Sequence, residues 1–120
     1  MRSKHREAVY RYAYEKYGTK PEYLWAKFPD YAVLRHEENK KWYAVIMDIP
    51  KIRLGLKGEG RVDILELKTS PLMAGSLELE EGILPAYHMK KGAWISVLLD
   101  GTVEDKKIEA LLDMSYEITG

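Results

Sequence analysis

Apolar and polar positions change their period along this 120-residue chain, and each change marks an element. From about Ser3 to Tyr17 the spacing is helical. Val9, Tyr12, Ala13 and Lys16 share one stripe, and Tyr10, Tyr14 and Tyr17 form an adjoining one. Gly18 stops that helix and Pro21 follows shortly. Its tyrosines are expected to lay their ring faces on a sheet and keep their hydroxyls at the wet rim. The pattern then alternates. YLWAKF (23–28) and YAVLRH (31–36) read as two strands around the turn pair Pro29-Asp30. The polar run Glu37, Glu38, Asn39, Lys40, Lys41 is a further turn. WYAVIMDI (42–49) is apolar on both faces, as a central strand would be.

A glycine-rich loop around Gly58 and Gly60 leads to a strand from about Val62 to Leu67. Ser70 can cap a short helix over 71–78, with Pro71 at the first position, where no N–H donor is needed. Ile83-Leu84-Pro85 leads to AWISVLL (93–99), the last strand, and Asp100-Gly101 turns the chain. Thr102 is the expected cap of a final helix, with Glu104 and Asp105 in its first turn. Ile108, Leu111, Leu112 and Ser115 then hold the spacing of a core face. Successive hairpins rather than strand-helix-strand units give an α+β fold with an antiparallel sheet of about five strands. The first and last helices pack on one face of it, beside one short extra helix. The whole of 1–120 is read as one domain, since the chain has room for a single core.

Charge sharpens this picture. The net charge is zero, yet residues 1–61 hold fourteen Lys and Arg against eight Asp and Glu, and residues 62–120 hold five against eleven. Such asymmetry suits either a basic face for a polyanion or two halves that attract one another. There is no cysteine, which excludes disulfides, thiolate zinc sites and cysteine nucleophiles. No signal peptide and no run long enough to span a bilayer is present, so a soluble, cytoplasmic, monomeric domain without a membrane partner is expected.

No catalytic or metal-binding constellation stands out in the sequence. His5, His36 and His88 stand far apart, outside any paired ligand motif. Ser70 with His88 is the one faint nucleophile pair, and capping already explains Ser70. GLKGEG (55–60) does not open a helix after a strand, as a phosphate-binding fingerprint would. The expectation is therefore a protein that is not an enzyme and carries no cofactor.

"LPAYHMKKGAWISVLLDGT" (84–102) brings a resemblance into view. Pro85, His88 and Lys91 form Pro-x-x-His-x-x-Lys; Trp94 opens a strand; Leu99-Asp100-Gly101, a helix and Ser115-Tyr116 follow. With Leu67, Lys68 and Pro71 upstream, and "FPDYAVLRHEENKKWYAVIMDI" before them, nearly the whole chain resembles the MmcQ/YjbR family. The resemblance implies a frataxin-like (CyaY-like) fold and brings a DNA-binding label that rests on likeness to a double-wing shape. Relatives often carry Asn and His at positions 90 and 93, where this chain has Lys90 and Ala93, which raises the local positive charge. The carboxylate iron site of frataxins is not expected. The first helix carries Arg2, Lys4, Arg6, Arg11 and Lys16 against Glu7 and Glu15.

Two functional expectations follow. In one, Arg35, Lys40, Lys41, Lys68, His88, Lys90 and Lys91 contact phosphates of DNA or another polyanion, and exposed faces of Trp42 or Trp94 stack on bases. In the other, Lys68, His88, Lys91 and Trp94 line a pocket for a small anionic ligand or a protein partner. Pro85, Trp94 and Asp100-Gly101 also serve as framework, which leaves Lys68, His88, Lys90 and Lys91 as the first residues to locate.

Overall fold

The computed structural model describes residues 4–120. Its elements run α1 (Lys4–Tyr17), β1 (Ala32–Arg35), β2 (Trp42–Pro50), a 3-10 turn (Lys51–Leu54), β3 (Arg61–Lys68), α2 (Pro71–Leu77), β4 (Ile83–Pro85), β5 (Trp94–Leu98) and α3 (Asp105–Thr119). The expected helix start at Ser3 lies outside the described residues. The five strands form one antiparallel sheet in the order β1-β2-β3-β5-β4.

The sheet is buried on both faces. On one, Leu34, Ala44, Ile46, Leu65, Leu67, Ile95 and Val97 pack against Val9, Tyr10 and Ala13 of α1 and Ile108, Leu111 and Leu112 of α3. On the other, Val33, Val45, Met47, Ile49, Val62, Ile64 and Leu98 are covered by Trp25, Tyr31, Leu54, Leu56 and Tyr87. Loops rather than helices close this second face. Two-sided burial explains why WYAVIMDI carries apolar residues at successive positions, unlike a half-solvated antiparallel strand.

The segment 23–28 corrects the sequence reading. It is not a strand, and its vicinity pairs with β1 only through the bridge Glu22–Val33. Two turns follow, closed by Phe28 N–H on the Trp25 carbonyl (3.2 Å) and Tyr31 N–H on the Phe28 carbonyl (3.0 Å). Trp25 and Tyr31 are needed on the second apolar face, so the segment crosses that face instead of extending its edge. The fifth strand is β4, entered through Gly82. Its φ of +87° and the 2.6 Å that would separate a Cβ from Val103 Cγ2 both demand glycine.

Thr102 is likewise not the cap of α3. Its N–H donates to Asp100 Oδ1 (3.0 Å) in a local turn, and Glu104 takes the cap position without a side-chain bond. Burial of Val103 in the main core sets where the helix can begin. Ser70 does cap α2, accepting from Met73 N–H at 3.2 Å. Of the α1 tyrosines, Tyr10 is buried, Tyr12 and Tyr17 are partly so, and Tyr14 is exposed.

Three polar ties hold the helices in place, two of them to the sheet and one between α1 and α3. The Arg6 guanidinium, 2% exposed, grips Asp63 of β3 through two bonds of 3.0 and 2.7 Å and also reaches the Asp30 carbonyl. Asp113 of α3 accepts from Lys16 Nζ (2.9 Å) and from the hydroxyls of Tyr12 and Tyr17 of α1. Burial alone would raise the Asp113 pKa, but the bonds from Lys16, Tyr17 and Tyr12 outweigh it and hold it below the ordinary value. Ser115 of α3 donates to the Tyr43 carbonyl (2.5 Å) and accepts from Lys68 N–H (2.9 Å). The last ladder pair between β2 and β3 is Ala44–Leu67, so the hydroxyl stands where the next pair would close.

Ser115→Ala should cost about 1–3 kcal/mol in chemical denaturation, because it strands a buried carbonyl and a part-buried N–H. For Asp113, a depressed folded pKa means its stabilisation is present above the ordinary carboxylate value of about 4 and is lost as pH falls through the folded value. The stability gap between wild type and Asp113→Asn should therefore be full at pH 7 and shrink as melting is followed below about pH 4.

Candidate anion-binding site

Antiparallel pairing sets the end of β3, the start of β2 and the start of β5 side by side. Lys68 ends β3, opposite Trp94, the first residue of β5. Trp42 opens β2, next to the polar turn that carries Lys40 and Lys41. Together with Ile118 and Thr119 at the end of α3, these five residues line an open groove of about 480 Å³. Lys68 is the best placed of them. Its backbone N–H is held by Ser115, and its ammonium lies 5.5 Å from the centre of the Trp94 ring. At that distance the ring quadrupole attracts the cation and holds it near the groove.

The remaining expected residues divide. Lys90 and Lys91 sit on the loop entering β5, which folds onto that strand through Lys90 carbonyl bonds to Ala93 and Trp94 N–H (3.1 and 3.0 Å). Both lysines are exposed, but Lys91 Nζ also donates to the Ala86 carbonyl at 3.2 Å. His88 is exposed in a left-handed conformation, φ 59°, with its ring edge-on to Tyr87 at 4.1 Å. Arg35 is not among the groove residues. It makes a bidentate pair with Glu22, 2.7 Å on each arm, and lines a separate hollow of about 610 Å³ with His36 and the stacked rings of Tyr17 and Tyr116. A guanidinium neutralised in this way is a poor phosphate ligand.

The aromatic part of the site is smaller than the sequence suggests. Trp94 is 9% exposed, so little of its ring is available for stacking. Trp42 keeps an accessible surface while its ring packs edge-on against Trp25 at 5.8 Å. Two acidic residues of the turn, Glu37 and Glu38, lie in the neighbouring hollow and temper the positive field.

One functional-looking group escaped the sequence reading. Glu66, in the middle of β3, is fully buried on the loop-covered face, two residues before Lys68. Its carboxylate accepts from Tyr87 N–H (2.7 Å) and from the Ser96 hydroxyl of β5. Burial pushes its pKa up to about 7, against the lowering effect of Ser96, the Tyr87 amide and the Lys91 charge. The available signal was a glutamate inside VDILEL, where a central strand otherwise carries aliphatic residues. Among the described residues no group of three His, Cys, Asp or Glu side chains converges as a metal site, and no helix is long and apolar enough to cross a membrane.

The chain is similar to several proteins, to some over nearly its whole length and to others over less than half. It is 46% identical over 114 residues, 95% of this chain and 97% of the relative, to the uncharacterized protein YyaQ of Bacillus subtilis. It is 39% identical over 54 residues, 44% of this chain and 46% of the relative, to the uncharacterized protein YjbR of Escherichia coli K12. A crystal structure of a Pseudomonas syringae protein superposes with a TM-score of 0.93 at 50% identity, covering 96% of this chain and 98% of that one. A Deinococcus radiodurans protein with a DUF419 domain shares the fold, with a TM-score of 0.68 at 23% identity over 92% of this chain and 74% of that one. The YjbR family model matches residues 14–118, and with the α+β architecture and the ordered Pro85, His88, Lys91 and Trp94 signature, the chain belongs to the YjbR family.

Proposed function

We propose that the domain is a non-catalytic module that binds single-stranded nucleic acid along the strip Lys40, Lys41, Lys68 and Lys90. The observation that carries this reading is topological. Adjacent strand ends bring cations that are distant in sequence to one end of the sheet, around a groove that also contains Trp42. Lysines on an open groove suit phosphates that pass by, and a partly exposed indole suits an unpaired base. Among the described residues no helix rich in Arg, Asn and Gln faces outward as a major-groove reader would, so recognition of duplex sequence is not part of the proposal. Groove residues Lys40, Lys41 and Lys68 supply the phosphate contacts, Lys90 extends them, and Trp42 supplies the stacking.

A second reading, a small anionic ligand, is favoured by the shortness of the strip. Arg35 is consumed by Glu22, and Lys40, Lys41 and Lys68 are the cations that line the groove. Oligonucleotide length separates the two readings.

Fluorescence anisotropy with labelled oligothymidylates of two and ten nucleotides, at low and moderate salt, is the measurement. Binding tighter than about 100 µM at low salt, weakening steeply with salt, is expected for the longer oligomer. The double charge reversal Lys41→Glu with Lys68→Glu should weaken it at least tenfold while leaving the melting temperature close to wild type. Equal affinity for both lengths would favour the small-ligand reading. No binding at low salt, or binding indifferent to salt, would rule out the nucleic-acid one.

A further inference from the structure

The Ala86–Tyr87 peptide group is held at both ends. Its N–H is taken by Glu66 Oε1 at 2.7 Å, with Ser96 Oγ sharing the same proton at 3.1 Å. Its carbonyl is taken by Lys91 Nζ at 3.2 Å. A single peptide therefore stands between a buried carboxylate and an exposed ammonium, in line with the attraction of the two charges. This peptide opens the loop 86–93, which then passes through the left-handed residues His88 and Gly92 (φ 59° and 85°) before Trp94 starts β5. The loop carries Lys90 and Lys91 up to Trp94, a groove residue, so what anchors its first peptide also bears on where those ammonium groups stand.

We propose that Glu66 is a positioning residue whose carboxyl, acting through the Ala86–Tyr87 peptide and Lys91, sets how strongly this end of the sheet holds an anion. The inference rests on the anion-binding reading above. When the carboxyl is ionised, it draws the Lys91 ammonium toward the Ala86 carbonyl and places a buried negative charge beneath the strip, on the same strand and face as Lys68. When it takes up a proton, the bonds to Tyr87 N–H and Ser96 can persist, since a neutral carboxyl both accepts and donates. The negative charge is gone, however, and Lys91 is released to the ligand. Linkage fixes the sign: an anion on the strip repels the ionised carboxyl, so binding takes up a proton and tightens as pH falls. The raised Glu66 pKa, about 7, puts this exchange near neutrality.

The groups around Glu66 identify the controls. Val45 faces it from β2 and Ser96 from β5; the loop contributes Tyr87 and Lys91, with His88 against the Tyr87 ring, and β3 contributes Lys68. His88, whose ring lies edge-on to Tyr87, supplies the control substitution. Oligothymidylate is a suitable probe, because its internal phosphodiesters keep their charge throughout the range.

Two readouts on the full chain test the proposal. The first is the Tyr87 backbone amide, followed by NMR from pH 5.5 to 8.5 without ligand. It should titrate near pH 7 in wild type and in His88→Ala, and lose that step in Glu66→Gln. The second is ten-nucleotide oligothymidylate affinity, which should rise roughly three- to tenfold from pH 8 to pH 6. That rise should remain in His88→Ala and vanish in Glu66→Gln, which should bind at all pH values like wild type at pH 6. An amide step that survives Glu66→Gln, or a pH dependence of binding that disappears with His88→Ala instead, overturns the assignment. So does binding that is independent of pH in wild type. If the amide step behaves as expected but no oligonucleotide binds at any pH, the nucleic-acid reading fails. Inorganic sulfate then takes the probe's place, with the same tightening toward low pH required.

Discussion

Burial of the central strands on both faces is the constraint from which the other features of this fold follow. An antiparallel sheet usually gives one face to water, and its polar residues then need no partners. Here α1 and α3 cover one face, and the segment around Trp25 and Tyr31, the 3-10 turn and Tyr87 cover the other. A polar group buried on β2, β3 or β5 must therefore be paired inside the protein or carry a penalty of several kcal/mol. Asp63 meets Arg6, Glu66 meets Ser96 and the Tyr87 amide, and the Tyr43 carbonyl meets Ser115. These ties occur where the sheet must accept a polar atom, and each one also fixes a neighbouring element: α1, the loop 86–93 and α3 in turn.

The groove is a by-product of the same economy. Ser115 inserts its hydroxyl between Tyr43 and Lys68, so the β2–β3 ladder ends there and the strand ends are free to diverge. Trp42, Lys68 and Trp94 surround the resulting hollow, and the end of α3 forms its far wall. The family signature Ser115-Tyr116 is thus tied physically to Lys68, forty-seven residues earlier. Tyr116 adds a second tie, stacked on Tyr17 at 3.8 Å and so linking α3 to α1.

Two sequence expectations failed for one kind of reason. YLWAKF has strand-like composition, but its aromatic residues are worth more as a cover for Val33, Val45 and Met47 than as an added edge. ILP has too few residues to announce a strand, yet β5 offers it a free edge and Gly82 permits the turn into it. In both cases the deciding energy is tertiary, and local alternation carries no information about which surface lacks a cover. Thr102 is a similar case, since burial of Val103 outranks a favourable cap.

By itself the sequence determined the helices α1, α2 and α3, the long strands β2, β3 and β5, the α+β class and the family. These depend on periodicity, on Gly and Pro stops and on motif order, all of which are local or linear. It also pointed to Lys68, His88, Lys90 and Lys91, among a wider set of basic residues, as the candidates for an anion. Only the tertiary structure decided which of them share a surface, because strand order and register set that. It paired Arg35 with Glu22, reduced Trp94 to a nearly buried platform for Lys68, and revealed Glu66 as a buried carboxyl two residues before Lys68. A glutamate in a strand reads as an outward residue until both faces of that strand are known to be covered.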